Sequence, residues 1–214
     1  MTNVQQQNAD LKTKGVVLHG TARFYDVLAW LFLRGREGEF REKIVELARL
    51  KPGESVLDVG CGTGTLAIAA RKRVGPSGAV RGVDASPEMI ARANKKARRS
   101  GVEVDFQTGI VEALPFPDGS FDVVLSSLMF HHLPPNVRRE CAKEIRRVLK
   151  PGGRVLIVDF GVSGKKKGLM AHLHKRHGSV KIQDVVTLLR EIGFDVVESG
   201  EVGIKSVNFV LATA

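Results

Sequence analysis

The fold of this chain is decided by the stretch Val56-Leu57-Asp58-Val59-Gly60-Cys61-Gly62-Thr63-Gly64-Thr65. Apolar residues lead into Asp58, three glycines follow at every second position, and a helix-compatible segment covers 66–73. This order predicts a strand, a tight turn and a helix start, because glycine permits positive φ and the close approach of a ligand. Free N–H groups at the helix start and the carboxylate of Asp58 favour a nucleotide joined to an amino acid over a pyrophosphate.

The glycine spacing separates this turn from two other nucleotide sites. Dinucleotide sites use Gly-x-Gly-x-x-Gly and a P-loop ends in Gly-Lys-Ser/Thr, whereas this chain has Gly-x-Gly-x-Gly without the lysine. A glycine pattern alone is a weak signal, so a plain turn between a strand and a helix remains the alternative on this stretch by itself.

A second unit follows and strengthens the interpretation. Residues 79–84 predict a strand that ends in Asp84, where a carboxylate can accept hydrogen bonds from both hydroxyls of a ribose. Ser86 and Pro87 then predict a helix start, with Ser86 as the N-cap and Gly101 as the stop.

At this point the chain resembles the class I S-adenosylmethionine-dependent methyltransferases. The glycine loop resembles the first motif of that family and residues 83–89 resemble the second. Residues 112–124 resemble the segment between its third and fourth strands, and 147–154 the turn before its fifth. Together these segments are similar to the type-11 subgroup, which includes the C-methyltransferases of ubiquinone and menaquinone biosynthesis.

The N-terminal region carries a further likeness. Arg23-Phe24-Tyr25-Asp26, followed by Trp30, is similar to the same subgroup and also to bacterial phospholipid N-methyltransferases. We expect residues 1–20 to form a flexible tail and residues 21–214 to form a single methyltransferase domain, in which 21–50 supply lid helices.

Alternating strand and helix patterns predict a Rossmann-like, doubly wound α/β fold with a mostly parallel sheet of seven strands. Apolar residues recur at helical spacing over 137–149 and 182–192. A short glycine-containing link at 199–204 predicts that the last two strands form an antiparallel hairpin. The resemblance implies the strand order 3-2-1-4-5-7-6. The predicted strands are 54–59, 79–84, 102–107, 121–127, 154–160, 194–199 and 205–212.

The resemblance also implies S-adenosylmethionine as the cofactor, with no metal, held at the carboxyl ends of the strands. The residues expected to bind it are Asp58, Gly60, Cys61, Gly62, Gly64, Asp84, Ala85, Met89, Gly109, Ile110, Val111 and Ser126. One position departs from the family, because Ile110 stands where an acid usually accepts the amino group of adenine. Either the substitution is tolerated, with a backbone N–H near Val111 and packing from Met89 holding the adenine, or cofactor affinity is reduced.

Few residues are candidates for a general base. His131 and His132 follow the fourth strand at the expected mouth of the pocket, and the resemblance favours His131 as the residue that faces the acceptor. Its alternative role is packing or capping at a helix start. Tyr25 is the only tyrosine in the chain and is the second catalytic candidate. It could contact the cofactor's carboxylate or the acceptor, or it could pack on the core as part of a lid.

Composition limits the setting. A chain of 214 residues with two cysteines has no disulfide framework, and its polar first residues do not resemble a secretory signal. We therefore expect a cytoplasmic protein. The three histidines His172, His174 and His177 match no standard zinc spacing, which favours a solvated basic connection over a metal site.

The net charge of +10 raises the question of partners. Basic pairs and triplets fall on the predicted exposed faces of helices, which favours a solvated surface, with anionic membrane and nucleic acid as alternatives. Nucleic acid is disfavoured because aromatic residues do not alternate with the basic ones. The apolar segment 24–33 could lie on lipid or close the pocket, so peripheral membrane contact is the alternative that we retain.

These patterns predict an enzyme that transfers a methyl group to a small hydrophobic or amphipathic acceptor: a quinone precursor, an aminophospholipid or a secondary metabolite. The competing hypothesis is a regulatory or RNA-associated protein that binds S-adenosylmethionine without turnover. The sequence leaves open the acceptor atom, the oligomeric state and the use of a general base.

Overall fold

The computed structural model describes residues 35–161, 180–203 and 207–214. The helices in this part of the chain are α1 (Glu37–Leu47), α2 (Thr65–Val74), α3 (Pro87–Arg99), α4 (Pro135–Val148) and α5 (Ile182–Glu191), with a short 3-10 turn at Phe130–His132. The strands are β1 (Ser55–Val59), β2 (Ala79–Asp84), β3 (Asp105–Thr108), β4 (Phe121–Ser127), β5 (Leu149–Phe160), β6 (Asp195–Glu201) and β7 (Val207–Thr213).

The seven strands form one sheet in the order β3-β2-β1-β4-β5-β7-β6, which confirms the predicted order. Neighbouring strands are parallel from β3 to β5, and helices connect β1 to β2, β2 to β3 and β4 to β5, as parallel pairing requires a crossover. The last strand, β7, runs antiparallel to both β5 and β6, so the predicted hairpin is also confirmed.

Two apolar cores cover the two faces of the sheet. Alternate residues of a strand point to opposite faces, and Val56 accordingly joins one core while Leu57 joins the other. Helices α1, α2 and α3 pack on the first face, and α4 and α5 pack on the second. This arrangement fixes which side of the sheet each residue at a strand end can reach.

The start of α3 follows the predicted capping. The hydroxyl of Ser86 accepts a hydrogen bond from the N–H of Met89 at 3.4 Å, and Pro87 occupies the first turn. The helix stops before Gly101, which has φ of 65°. This N-terminus places α3 directly after the end of β2, beside the glycine loop.

Two strands begin three or more residues away from their predicted starts. Strand β3 begins at Asp105 rather than at 102, because the N–H of Val102 still bonds to the carbonyl of Ala97 in α3. Strand β5 begins at Leu149 rather than at 154, since Leu149 pairs with Phe121 before the register shifts.

Two parallel neighbours, β2 and β4, flank β1 on opposite sides, so the chain reverses its direction of winding there. Parallel α/β sheets bind ligands in the crevice that such a reversal opens at the carboxyl ends of the strands.

Three predictions concern parts of the chain outside the described residues. They are the flexible tail, the apolar segment 24–33 with Tyr25, and the histidines of 172–177.

Candidate active site

The glycine loop between β1 and α2 takes the conformation that its sequence requires. Gly60, Gly62 and Gly64 have φ of 72°, 53° and 76°, a region that residues with a Cβ rarely adopt. The N–H groups of Gly60 and Cys61 both donate to the carbonyl of Val83, at 2.8 and 3.0 Å. The loop is thereby tied to the end of β2.

Two of these glycines also leave room for the protein itself. A Cβ on Gly60 would overlap the side chain of Met129, and a Cβ on Gly64 would lie 2.6 Å from Cζ of Phe106. From the sequence alone, the glycines are explained by the close approach of a ligand. The structure adds a second reason, which is close packing against the segment after β4 and against β3.

Asp84 joins the ends of β1 and β2. Its carboxylate accepts a hydrogen bond from the N–H of Gly62 and another from the N–H of Ser86, each at 2.9 Å. Burial raises the pKa of Asp84, while these two N–H groups oppose the rise by stabilising the charged form. The residue predicted to hold a ribose therefore also fixes the loop around it.

Asp58 is a buried carboxylate at the end of β1. It is 1% exposed, and burial raises its pKa from 3.8 to about 7, against the opposing charge of Arg41 and the N–H of Ala67. The charge of Asp84 adds to the rise. A cationic group beside Asp58 would restore the charged form of this acid, because opposite charge stabilises the carboxylate.

Arg41 is a functional candidate that the sequence analysis missed. It reaches from α1 to the end of β4, where its guanidinium donates to Oγ of Ser127 at 3.3 Å. It is only 8% exposed. A signal was present, since Arg41 occupies the apolar stripe of α1 together with Ile44, Val45 and Ala48, at helical spacing.

Unpaired buried polar atoms gather at this edge of the sheet. Among the described residues, the buried side-chain polar atoms with no hydrogen-bond partner are Arg41 Nε, Asp58 Oδ2 and Ser126 Oγ. Such atoms cost free energy unless a ligand or water satisfies them. Arg41 and Asp58 carry opposite charges, so they fit a ligand that has both an ammonium and a carboxylate.

The part of the site that we expect to hold the adenine of the cofactor is apolar. Met89 is 2% exposed and Ile110 is 9% exposed, yet within the described residues neither belongs to either core. The N–H of Gly109 bonds to the carbonyl of Asp84 at 3.1 Å, which brings this turn beside the second strand. Val111 differs, because it is part of the second core.

Lys96 is a second residue that the sequence analysis missed. Its ammonium donates to Oγ1 of both Thr63 and Thr65, each at 2.8 Å, and so connects α3 to the glycine loop. The expectation that the basic residues lie on a solvated surface therefore describes Lys96 only in part, because its side chain is half-buried and bonded to the loop.

His131 lies in the short turn after β4, and its neighbour Met129 contacts the glycine loop. Its Nδ1 is 2.7 Å from Oδ1 of Asp159, and its backbone N–H donates to Oδ2 of the same carboxylate at 2.9 Å. The ring of His132 lies against that of His131, with 3.8 Å between centroids. Asp159, at the end of β5, was not predicted from the sequence.

The structure thus gathers the predicted cofactor residues at the carboxyl ends of β1, β2, β3 and β4. Cys61 is also there, but burial raises the pKa of its thiol well above the ordinary value, with Asp58 and Asp84 adding to the effect. Tyr25 lies outside the described residues. Within the described part of the chain, no three His, Cys, Asp or Glu side chains are grouped so that they could hold a metal ion.

Comparison with known proteins relates this chain to methyltransferases. A family model of a methyltransferase domain matches residues 56–153. A solved structure, a SAM dependent methyltransferase from Aquifex aeolicus, superposes with a TM-score of 0.76 at 27% identity, covering 92% of this chain and 99% of that one.

Two curated relatives are more similar in sequence. The demethylmenaquinone methyltransferase of Thermus thermophilus is 38% identical over 136 residues, which are 64% of this chain and 60% of the relative. The ubiquinone/menaquinone biosynthesis C-methyltransferase UbiE of Bdellovibrio bacteriovorus is 36% identical over 153 residues, 71% of this chain and 64% of the relative. The chain thus spans less than two thirds of the length of either relative. On these matches and its fold, the chain is similar to S-adenosylmethionine-dependent methyltransferases and to UbiE.

Proposed function

We propose that this chain transfers the methyl group of S-adenosylmethionine to a small hydrophobic acceptor, with a reduced quinone precursor as the acceptor class. One observation carries the proposal: the buried, oppositely charged and incompletely paired Asp58 and Arg41 lie beside a glycine loop tied to Asp84. S-Adenosylmethionine has an ammonium, a carboxylate and a ribose, which are the groups these three side chains could bind.

Each part of the site has a defined task in this proposal. Asp58 would hold the ammonium and Arg41 the carboxylate, because charge-assisted hydrogen bonds are the strong ones at a buried site. Asp84 would accept from the ribose hydroxyls, and Met89 and Ile110 would cover the adenine. When bound, the cofactor supplies a methyl group activated by its positive sulfur, and the protein supplies alignment and exclusion of water.

The acceptor class is supported by the names of the relatives. Both curated relatives described above are quinone methyltransferases by name. Within the described residues, no helix is both long enough and apolar enough to cross a membrane.

The proposal is tested with S-adenosylmethionine that carries a labelled methyl group. The acceptors are a short-chain 2-prenyl-1,4-naphthohydroquinone kept reduced, phosphatidylethanolamine in micelles, and an RNA mixture. We expect the label in the naphthohydroquinone. Label in none of the acceptors, with cofactor binding intact, would favour a binding protein without turnover.

The variant Asp84→Ala tests whether the cofactor binds at this site. The substitution removes the carboxylate that holds Gly62, Ser86 and the expected ribose, so the affinity for S-adenosylhomocysteine should fall by about 2–3 kcal/mol, as the loss of charged hydrogen bonds does. Calorimetric titration measures the affinity, and circular dichroism checks the fold. Unchanged affinity in a folded variant would contradict the assignment of the site.

A further inference from the structure

We infer that Asp159 is a positioning residue that holds His131 ready to take a proton from a phenolic hydroxyl of the methyl acceptor. The inference rests on the proposed function and narrows its acceptor class to molecules that must lose a proton, hydroquinones and phenols. It starts from a contact that binding of the cofactor does not explain.

The contact is unusually complete for one carboxylate. Asp159 accepts from the backbone N–H of His131 at 2.9 Å and from the backbone N–H of Phe160 at 2.6 Å. Its third partner is Nδ1 of His131 at 2.7 Å. Asp159 is 2% exposed, so a carboxylate at this place is held by fixed donors rather than by water.

This arrangement determines which ring nitrogen of His131 carries the proton. A carboxylate accepts hydrogen bonds, so Nδ1 is the protonated nitrogen in the neutral ring. Nε2 then has the lone pair and can accept a proton. The same carboxylate stabilises the imidazolium that forms, as an orienting acid does for a catalytic histidine.

The surroundings exclude most water and hold the ring. The side chain of His131 is 7% exposed, with Phe160 edge-on to it at 5.0 Å between centroids and His132 against it in the same turn. A positively charged group nearby is Arg138 of α4, which donates to the carbonyl of Phe130 at 2.9 Å. The charge of Asp159 acts on Arg138 and raises its pKa, against the larger lowering effect of burial.

The pair His131 and Asp159, here called the dyad, also lies beside the carboxyl ends of the strands, where we expect the cofactor. Met129, two residues before His131, occupies the space that a Cβ on Gly60 would need. Leu128, at the end of β4, has φ of 56°, a conformation that non-glycine residues rarely take. The turn that carries His131 is therefore held directly against the glycine loop.

A phenolic acceptor needs a general base such as His131. A phenol with a pKa of about 10 is protonated at neutral pH and is then a weak nucleophile. In the reaction, the hydroxyl proton passes to Nε2 of His131, and the electron pair of the acceptor forms the new bond to the methyl carbon. The electron pair of the carbon–sulfur bond goes to sulfur, which leaves as a neutral thioether. For ring methylation, the ring proton then passes to water and the oxygen regains its proton from His131, which restores the aromatic hydroxyl. A free amine attacks with its own lone pair and requires no prior loss of a proton.

The first test measures which ring nitrogen of His131 carries the proton, with no methyl acceptor present. Nitrogen-15 spectra of histidine-labelled protein should show His131 with a protonated Nδ1 and an unprotonated Nε2. In Asp159→Asn the amide can donate to Nδ1, so the proton should move to Nε2. A wild-type ring with its proton on Nε2 would overturn the inference, whatever the activity.

The second test measures turnover of 2-prenyl-1,4-naphthohydroquinone. In Asp159→Asn we expect kcat to fall by about 10²-fold or more, with KM and the affinity for S-adenosylhomocysteine changed by less than about threefold. His131→Asn keeps an amide donor where Nδ1 stood and removes Nε2, so it should lose as much. The double variant should be no worse than His131→Asn, because the two residues act as a unit.

Asp184→Asn is the matched control. Asp184 is an exposed carboxylate of α5 whose charge also acts on Arg138, so its loss alters the charge near the dyad without touching His131. This variant should keep the wild-type kcat and pH profile.

The outcomes separate this inference from the proposed function. Failure to bind S-adenosylhomocysteine would defeat the proposed function. Binding with methylation of an amine but of no phenol would overturn the inference alone. Wild-type kcat in folded Asp159→Asn or His131→Asn would also overturn it.

Discussion

Asp58 shows how one buried carboxylate can report on its ligand. Its pKa lies near 7 in the folded protein and near 3.8 ordinarily, so the folded state holds a proton that the unfolded state releases. The neutral acid stabilises the fold fully below about pH 4, and this contribution is lost as the pH rises through about 7. A bound ammonium would reverse the preference and favour the carboxylate.

Binding of S-adenosylhomocysteine should therefore release a proton at pH 6, and the affinity should rise as the pH increases towards about 7. Calorimetry in buffers of different ionisation enthalpy measures the released proton. Asp58→Asn keeps the shape without the titration and should abolish the effect. Equal proton release by both proteins would mean that Asp58 does not face the ammonium.

Ile110 offers a different single-residue test. It is buried, it belongs to neither core among the described residues, and it stands where the family usually has an acid. Ile110→Asp should tighten binding of S-adenosylhomocysteine several-fold, because the gain of a charged hydrogen bond, about 1.5–3 kcal/mol, is partly offset by the cost of burying the carboxylate, which also lowers the melting temperature. Ile110→Asn serves as the neutral control. Weaker binding by Ile110→Asp would show that the adenine end depends on an apolar contact.

At the scale of elements, Lys96 connects a helix to the loop that shapes the site. Its hydrogen bonds to Thr63 and Thr65 hold α3 against the start of α2. Lys96→Met should therefore weaken S-adenosylhomocysteine binding by up to about tenfold, equivalent to about 1.4 kcal/mol, because the loop loses a fixed support. Lys95→Met changes an exposed neighbour of the same charge and should leave the affinity unchanged. Equal effects of the two variants on affinity would indicate a general charge effect instead.

The order of the helices and strands could be predicted from the sequence, whereas contacts between distant elements could not. The order strand, glycine loop, helix and second strand could be predicted because its signals are local: apolar alternation, positive φ and an N-cap. The dyad could not, since Asp159 is 28 residues from His131 and only the pairing of β4 with β5 brings them together. Arg41 was missed for a similar reason, because its importance depends on which face of the sheet α1 covers.

At the scale of the whole molecule, which has a net charge of +10, not every basic residue is available to a partner. Arg147 is engaged with Glu144 and Asp118, and Arg154 with Glu54. Peripheral contact with an anionic membrane remains a proposal that rests on the other basic residues and on the apolar segment 24–33, which lies outside the described residues.

Vesicles of phosphatidylglycerol should bind the protein at low salt and release it at high salt, because each basic residue near an anionic surface is worth about 1 kcal/mol and salt screens it. Trp30→Ala and Phe32→Ala should reduce binding if the apolar segment enters the lipid. Sedimentation measures the bound fraction, with phosphatidylcholine vesicles as the control. Protein that stays in the supernatant with anionic vesicles at low salt would leave a freely diffusing acceptor as the better hypothesis.

A crystal structure with S-adenosylhomocysteine would show whether the carboxyl ends of β1 and β2 bind the cofactor. We expect the ribose hydroxyls on the carboxylate of Asp84, the ammonium at Asp58 and the carboxylate at Arg41. Adenine should lie against Met89 and Ile110. A ligand bound elsewhere, or no ligand at this edge under saturating conditions, would show that these residues do not form the cofactor site.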